Sequence, residues 1–272
     1  MQLLVMLAIA LFMLLVASVA SMFIGMSDRS TMLVSQAVTQ LLTFLVPVVV
    51  MAFIYYCGGV RDYFRLDFSG SKWIDAMAGT VVMLLLIPAN DWLTEWNKTW
   101  QLGRLGEMLH AIQDVTEGVI ENIMGTDTVA GLIGNLLVVA LIPAVCEEVF
   151  FRAGIQNLLQ KWIKNPHAAI WITALVFSLA HGEIFSFMPR FVMGATLGYL
   201  YVYGGSLLPN VLAHFVNNAI VVVLYWLVAR GVLDIDPEAP LALDWVLTAC
   251  CTLAAVAVMW VTFFVDRGKS KD

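Results

Sequence analysis

Charged residues are scarce in this sequence of 272 residues. Aspartate, glutamate, lysine and arginine make up 12% of the chain, and hydrophobic residues make up 61%. Soluble domains carry about 25% charged and about 45–50% apolar residues. A chain of 30.0 kDa cannot bury so much apolar surface. This excludes secreted soluble and disordered proteins and predicts that membrane lipid covers the excess. The net charge of −6 argues against nucleic acid as a partner.

Several motifs are also absent. The four cysteines, Cys57, Cys146, Cys250 and Cys251, lie in or beside apolar runs and form no CxxC pair, so no disulfide framework is predicted and we interpret them as small buried residues. There is no HExxH zinc signature, and the absence of GxSxG argues against a serine hydrolase. The sequence shows no internal repeat, so it does not support a transporter built from inverted repeats.

The long apolar runs predict an all-α fold, a polytopic membrane helix bundle with about eight transmembrane helices. The first run has no basic residues before it and is longer than a signal-peptide core of about 7–15 residues, so we expect it to be retained. The predicted helices are Leu3–Phe23, Met32–Cys57, Trp73 to about Asp91, Val129 to beyond Arg152, Ala168–His181, Phe187–Tyr203, Pro209–Ala229 and Leu243–Val265.

An amphipathic segment, residues 102–124, separates the third and fourth predicted helices. Its apolar residues recur at helical steps with acidic residues between them. This pattern is typical of a helix on the membrane surface or packed over the bundle, and a gate over a site is the alternative. We therefore divide the chain into residues 1–128, with helices one to three and this segment, and residues 129–272, with helices four to eight.

Basic residues in the loops predict the orientation. The termini and the even-numbered loops share one side of the membrane and carry eight basic residues, against five on the other side. Both termini are therefore predicted to be cytoplasmic, in the plasma membrane if the source is prokaryotic. The eight are Arg61, Arg65, Lys72, Lys161, Lys164, Arg267, Lys269 and Lys271, and the five are Arg29, Lys98, Arg104, Arg190 and Arg230.

Three polar motifs interrupt the apolar helices, where ionisable groups are costly and need a partner or a function. The first is Glu147-Glu148-Val-Phe-Phe-Arg152. Glu148 and Arg152 are four residues apart and share a helix face, so they are predicted to pair. Glu147 points about 100° away and is the carboxylate left over. An ion-pair network that only holds helices together is the alternative.

The other two motifs are Phe177-Ser-Leu-Ala-His181 and His214-Phe-Val-Asn-Asn218. Taken alone, they are open to a structural interpretation, a satisfied histidine and interhelical hydrogen bonding. The helices that carry Glu147 and His181 are joined by a turn at Lys164, and both residues are 17 positions from it (164 − 147 and 181 − 164). They are therefore predicted to lie at the same depth, whereas the depth of His214 is not fixed.

Two carboxylates, two histidines and an amide are suited to hydrolysis. Glu147 with His181 can hold and activate a water, and His214 with Asn218 can donate hydrogen bonds to an oxyanion. In a metal-dependent version, Glu147, His181 and His214 would bind zinc, with water in the open position. We expect no cofactor rather than zinc, because His214 is paired with Asn218.

The ordered set of motifs, over about Val129–Val222, resembles the CAAX-protease and bacteriocin-processing family, also called the Abi family, which includes the type II CAAX prenyl endopeptidases. The resemblance implies an eight-helix bundle and intramembrane proteolysis of a membrane-associated protein or peptide, with prenylated CAAX-type proteins among the candidates. It places water activation on Glu147 and His181, oxyanion stabilisation on His214 and Asn218, and support on Glu148 and Arg152. The family has been described both as metalloproteases and as glutamate-dependent proteases, so the metal stays open.

Two other functions compete with the protease. One is a non-enzymatic membrane immunity or scaffold protein. The other is a proton-coupled transporter, since glutamate and histidine inside a membrane also form proton relays. The polar residues cluster at one site instead of forming a chain across the bundle, which favours the protease.

Overall fold

A computed structural model of the chain describes residues 1–25, 27–56, 63–67, 69–237, 239, 241 and 243–262. Over these residues the regular structure is helical and no strand occurs, which confirms the all-α prediction. The helices are α1 (Gln2–Ile24), α2 (Arg29–Tyr55), α3 (Gly70–Leu85), α4 (Ile87–Lys98), α5 (Gly103–Met124), α6 (Val129–Ile163), α7 (Pro166–Ala180), α8 (Phe187–Gly204), α9 (Leu208–Ala229) and α10 (Trp245–Trp260).

Four helices, α1, α2, α6 and α9, are long and apolar enough to cross a membrane, and α3 and α4 pass the same test as one bent pair. Large apolar side chains of α1 are exposed, among them Leu4 and Phe23, as expected where lipid replaces protein neighbours. The chain is therefore an integral membrane protein. Since α7 and α10 are apolar but have only 15 and 16 residues, length and composition give four or five candidate spans and do not confirm eight.

The third predicted helix differs from the structure. It was expected to end near Asp91, but the chain bends by 42° after α3 and continues as α4 to Lys98. Pro88 lies in the first turn of α4, where its missing N–H costs no helical hydrogen bond. It therefore starts a second helix instead of ending the first. Cys57 and residues 263–265, the predicted ends of helices two and eight, lie outside the described residues.

The amphipathic segment forms α5, as predicted. Leu105, Met108, Ile112 and Val115 form an exposed apolar stripe along this helix. At its carboxyl end, the Arg29 guanidinium donates to the carbonyl of Ile123 at 2.9 Å. The same guanidinium donates to the Oδ1 atom of Asn135 in α6 at 2.8 Å and to the carbonyl of Gly131 at 3.1 Å. One cation thus joins α2, α5 and α6.

Helix α6 carries the first polar motif into the middle of the bundle. Its neighbours include α2 and α9, and α7 packs against α8 in an antiparallel hairpin. Three π-helical segments interrupt the described helices: Leu41–Leu45 in α2, and Leu136–Leu141 and Val149–Gln156 in α6. Segments of this kind are frequent at functional sites, and two of the three directly follow polar residues, Gln40 in α2 and the Glu147–Glu148 pair in α6.

Candidate active site

Glu148 is the centre of a buried polar network. One of its carboxylate oxygens, Oε2, accepts from Arg152 Nε at 2.9 Å and from Asn210 Nδ2 at 3.1 Å. The other, Oε1, lies 3.0 Å from His214 Nδ1. The side chains of Glu148 and Arg152 have no exposed surface, so each charge requires the other. The predicted pair is present, and it joins α6 to α9.

Glu147 faces a different set of partners. Its Oε1 atom accepts from Gln40 Nε2 at 3.3 Å. Its Oε2 atom lies 3.7 Å from His181 Nε2 and 3.9 Å from His214 Nε2. The turn at Lys164 thus brings Glu147 and His181 side by side, the relation that their equal distance from this turn predicted. Helix α9 brings His214, whose depth the sequence left open, to the same point.

Hydrogen bonds place a proton on the Nδ1 atom of both histidines. The Nδ1 atom of His181 lies 2.8 Å from the carbonyl oxygen of Phe177, and the Nδ1 atom of His214 faces the Glu148 carboxylate. A carbonyl and a carboxylate only accept, so each Nδ1 atom carries a proton. Both Nε2 atoms therefore face Glu147. Their distances from Oε2 are too long for direct hydrogen bonds, but they allow a third atom at about 2.8 Å from each.

The site is open on one side. The side chain of His181 is 26% exposed, whereas those of Glu147 and His214 are 7% and 3% exposed. Phe177 lies under both imidazoles, with ring centroids 4.7 Å from His181 and 6.1 Å from His214. His181 is thus the most exposed of the three side chains, whereas Glu148 and Arg152 behind them have no exposed side-chain surface.

Asn218 does not contact the group formed by Glu147, His181 and His214. It lies one turn after His214 on α9 and is half-buried. Its Oδ1 atom accepts from Asn217 Nδ2 at 3.4 Å. Within the described residues, Asn218 forms no hydrogen bond with Glu147, His181 or His214. The structure thus brings together three of the four residues predicted to be catalytic and leaves the fourth near them.

The predicted zinc ligands Glu147, His181 and His214 meet, but at distances that do not suit the metal. Zinc–donor bonds of about 2.0–2.2 Å in a tetrahedron separate neighbouring donor atoms by about 3.4 Å. The Nε2–Oε2 distances here are 3.7 and 3.9 Å. No group of three histidine, cysteine, aspartate or glutamate side chains in the described part of the chain has the arrangement of a metal site. In this conformation the donor atoms are therefore spaced more widely than the ligands of one zinc ion.

Two polar residues near the site, Gln40 and Asn97, lie outside the three sequence motifs. Gln40 belongs to α2, far from the motifs in sequence, and a polar side chain inside a long apolar run was the only available signal. Asn97 ends α4 and is fully buried. Its side chain donates to the carbonyl of Ile184 at 2.9 Å and accepts from the N–H of Met188 at 2.7 Å. It thereby holds the loop that follows His181.

Comparison with known families agrees with this geometry. Residues 129–220 match the family model described as type II CAAX prenyl endopeptidase Rce1-like. We call residues 129–220 the Rce1-like domain, after the family model that they match. The match confirms the resemblance to the CAAX-protease family that the motifs predicted. The Rce1-like domain contains the three polar motifs, whereas Gln40 and Asn97 lie outside it. Neither a curated protein nor a solved structure matches the chain.

Proposed function

We propose that this protein is an intramembrane endopeptidase that hydrolyses a peptide bond of a membrane-associated protein or peptide. The observation that carries the proposal is the convergence of Glu147 Oε2 with the Nε2 atoms of His181 and His214 at 3.7 and 3.9 Å. The Rce1-like domain supports the same reaction class.

In the proposed reaction, a water lies between Glu147 and the imidazole of His181. Glu147 takes a proton from this water as its oxygen attacks the carbonyl carbon of the substrate. The negative charge that develops on the carbonyl oxygen is stabilised by His214 Nε2–H and by the side-chain amide of Asn218. Glu147 then gives its proton to the amide nitrogen as the C–N bond breaks, so the products are a carboxylic acid and an amine.

Charge neutrality explains why the site needs Glu148 and Arg152. In this mechanism His214 donates from Nε2, so its ring carries both protons and one positive charge. The two glutamates, Arg152 and His214 then sum to zero. Because an unbalanced charge is costly in a buried site, this arrangement keeps Glu147 available as a base without a metal ion.

We assign the substrate class from the family match and the number of spans from the path of the chain. We assign prenylated CAAX-type proteins as the first substrate class to test, and bacteriocin processing rests on the family resemblance alone. We also assign eight spans, which are α1, α2, the bent pair α3–α4, and α6 to α10. Two contacts support this count. The Lys72 ammonium in the first turn of α3 donates to the carbonyl of Gly204 at the end of α8, at 2.6 Å. The Leu241 N–H, in the segment before α10, donates to Asp91 in α4 at 2.8 Å. Each contact joins segments that the eight-span path places towards the same side.

The test uses purified protein in lipid nanodiscs with two peptide probes. One is a farnesylated peptide that ends in Cys-Val-Ile-Met, a CAAX sequence, and the other is an unprenylated peptide tethered by a transmembrane helix. We expect wild type to cleave at least one probe, and Glu147→Ala and His181→Ala to lose at least 100-fold in kcat/KM. His167→Ala, an exposed histidine at the other end of α7, is the matched control and should retain activity.

Two results would count against the proposal. Undiminished cleavage by both Glu147→Ala and His181→Ala would remove the assigned roles, and failure of wild type to cleave either probe would remove the activity. Activity that is lost to a chelator and restored by zinc would keep the protease but overturn the metal-free mechanism. We expect the chelator to leave the rate unchanged.

A further inference from the structure

Helix α2 contributes to the site although it lies outside the Rce1-like domain. Gln40 lies two residues from the centre of this helix, and its Nε2 atom donates to Glu147 Oε1 at 3.3 Å. The orientation of the amide is fixed by chemistry, because turning it over would set Oε1 against a carboxylate. With Oε1 of Glu147 held by Gln40, the other carboxylate oxygen, Oε2, is the one that faces His181 and His214.

The other end of the same amide has no partner. Gln40 Oε1 is buried and accepts no hydrogen bond from any residue that the structure describes, and the same holds for the Oγ1 atom of Thr43, three residues further along α2. A buried acceptor without a donor is destabilising and requires an explanation. Here it lies beside the proposed general base, at the point where a substrate would be bound.

The local fold of α2 keeps Gln40 in this position. The π-helical segment Leu41–Leu45 begins at the next residue and packs against the stretch of α6 that contains Glu147. Within it, the Phe44 ring lies against Phe150 and Phe151, with centroids 5.3 and 5.9 Å apart. These contacts anchor α2 against the residues of α6 that follow the glutamate pair, so the orphan acceptor is held in place instead of turning towards lipid.

A peptide backbone supplies the missing donor. Every residue of a substrate other than proline carries an N–H group, and an extended peptide bound at Glu147 presents these groups on both sides of the bond to be cleaved. We propose that Gln40 is a substrate-contacting residue of the endopeptidase, whose Nε2 group orients Glu147 and whose Oε1 atom accepts a hydrogen bond from a backbone N–H next to the scissile bond. This inference rests on the proposed function and adds to it how the peptide is held.

The test combines a side-chain variant with a backbone change in the probe. Gln40→Met keeps the length of the side chain and removes both hydrogen bonds. The probe is whichever of the two peptides above wild type cleaves, together with two analogues in which the amide before or after the scissile bond is replaced by an ester. Gln36→Met is the matched control, because Gln36 is also half-buried in α2, one turn before Gln40. Thermal unfolding shows whether each variant is folded.

The expected result has two parts. Wild type should lose about fivefold or more in kcat/KM on one of the two esters, since that probe lacks the donor. Gln40→Met should lower kcat about tenfold on the amide probe, because Glu147 is no longer oriented, and should cleave that ester and the amide equally well. Gln36→Met should behave as wild type. If Gln40→Met does not fold, Gln40→Asn, which keeps an amide but is one methylene shorter, should show the same loss of discrimination.

The failures are distinguishable. If wild type cleaves the amide probe and Gln40→Met keeps the full ester penalty, the Gln40 contact is wrong and the endopeptidase stands. Equal losses in Gln40→Met and Gln36→Met on all probes would also reject the contact, because they would indicate a structural role of α2. If wild type cleaves neither probe, the proposed function fails and the Gln40 inference fails with it.

Discussion

Among single residues, the two adjacent glutamates of α6 differ most clearly in their partners. Glu148 is bound by Arg152, Asn210 and His214, each within 3.1 Å. Glu147 has one hydrogen bond, from Gln40, and otherwise faces two imidazole nitrogens at longer distances. Glu148 is therefore held in the network that joins α6 to α9, and Glu147 is the proposed general base.

This difference predicts opposite phenotypes for the same conservative substitution. Glu148→Gln leaves the Arg152 charge buried and unpaired, which should cost about 3–5 kcal/mol of stability. Glu147→Gln should change the stability little and lower kcat by about 10²–10⁴-fold. Thermal unfolding in nanodiscs and cleavage rates measure the two effects. A stable Glu148→Gln protein, or a Glu147→Gln protein that unfolds readily, would contradict the structural role of Glu148 and the proposed catalytic role of Glu147.

Asn218 provides a second prediction among single residues. If its amide donates to the oxyanion, Asn218→Ala should lower kcat by about 10²–10³-fold with little change in KM, because the contact forms only as charge develops on the carbonyl oxygen. Steady-state kinetics on the cleaved probe separate the two parameters. A variant with wild-type kcat would show that His214 alone stabilises the oxyanion.

Residues on one helix were the easiest to predict from the sequence. Glu148 and Arg152 are four residues apart, which predicts that they pair. Glu147 and His181 are equally far from the turn between their helices, which predicts that they lie at the same depth. The contact of His214 with both glutamates depends on how α9 packs, which no local pattern reports. Gln40 and Asn97 were missed for the same reason, since each acts on a residue about 90–110 positions away.

Among the helices, the end of α4 positions the loop behind His181. The fully buried Asn97 satisfies one carbonyl and one N–H of this loop. The Glu183 carboxylate pairs with Arg190 across the same loop. His110 of α5 stacks on Phe185, with ring centroids 3.8 Å apart. The open side of the site is thus bordered by a loop that α4 and α5 hold from outside the Rce1-like domain.

This arrangement predicts that Asn97→Ala is damaging in two ways. It removes two half-buried hydrogen bonds, at about 0.5–1.5 kcal/mol each, and it releases the loop that follows His181, so kcat should fall as well. Asn97→Asp keeps the acceptor for Met188, but it buries a carboxylate and sets one of its oxygens against the Ile184 carbonyl, so its losses should be at least as large. Thermal unfolding and kinetics check both variants. Wild-type behaviour of Asn97→Ala would show that the loop holds its position without α4.

For the whole molecule, the loops group into two sets. Leu207 N–H donates to the carbonyl of Arg65 at 3.1 Å, which joins two even-numbered loops. At the other end, Arg29 meets the carbonyl of Ile123, which joins two odd-numbered loops. Both contacts follow the alternation that eight crossings require. They do not show which set faces the cytoplasm, so the orientation depends on the basic residues, four of which (Arg61, Arg267, Lys269 and Lys271) lie outside the described residues.

The predicted orientation can be measured with single cysteines. In a background without the four native cysteines, Lys161→Cys at the exposed end of α6 should react with a membrane-impermeant maleimide only when the cytoplasmic face is accessible. Val232→Cys, in the exposed loop after α9, should react only from the opposite face. Tags at both termini should follow Lys161→Cys. The reverse pattern would show that the excess of three basic residues is too small to set the orientation.

Because α2 contains a π-helical segment, the geometry of the site depends on the exact number of residues in this helix. A π turn holds about one residue more than an α turn and shifts the helical phase by about 100°. With the segment Leu41–Leu45 in place, Gln40 faces Glu147 while Phe44 packs against Phe150 and Phe151. Deletion of one residue here would bring the two halves of α2 back into phase, and α2 would keep one of these contacts and lose the other. A deletion that leaves hydrophobicity almost unchanged would therefore be as damaging as loss of Gln40 itself.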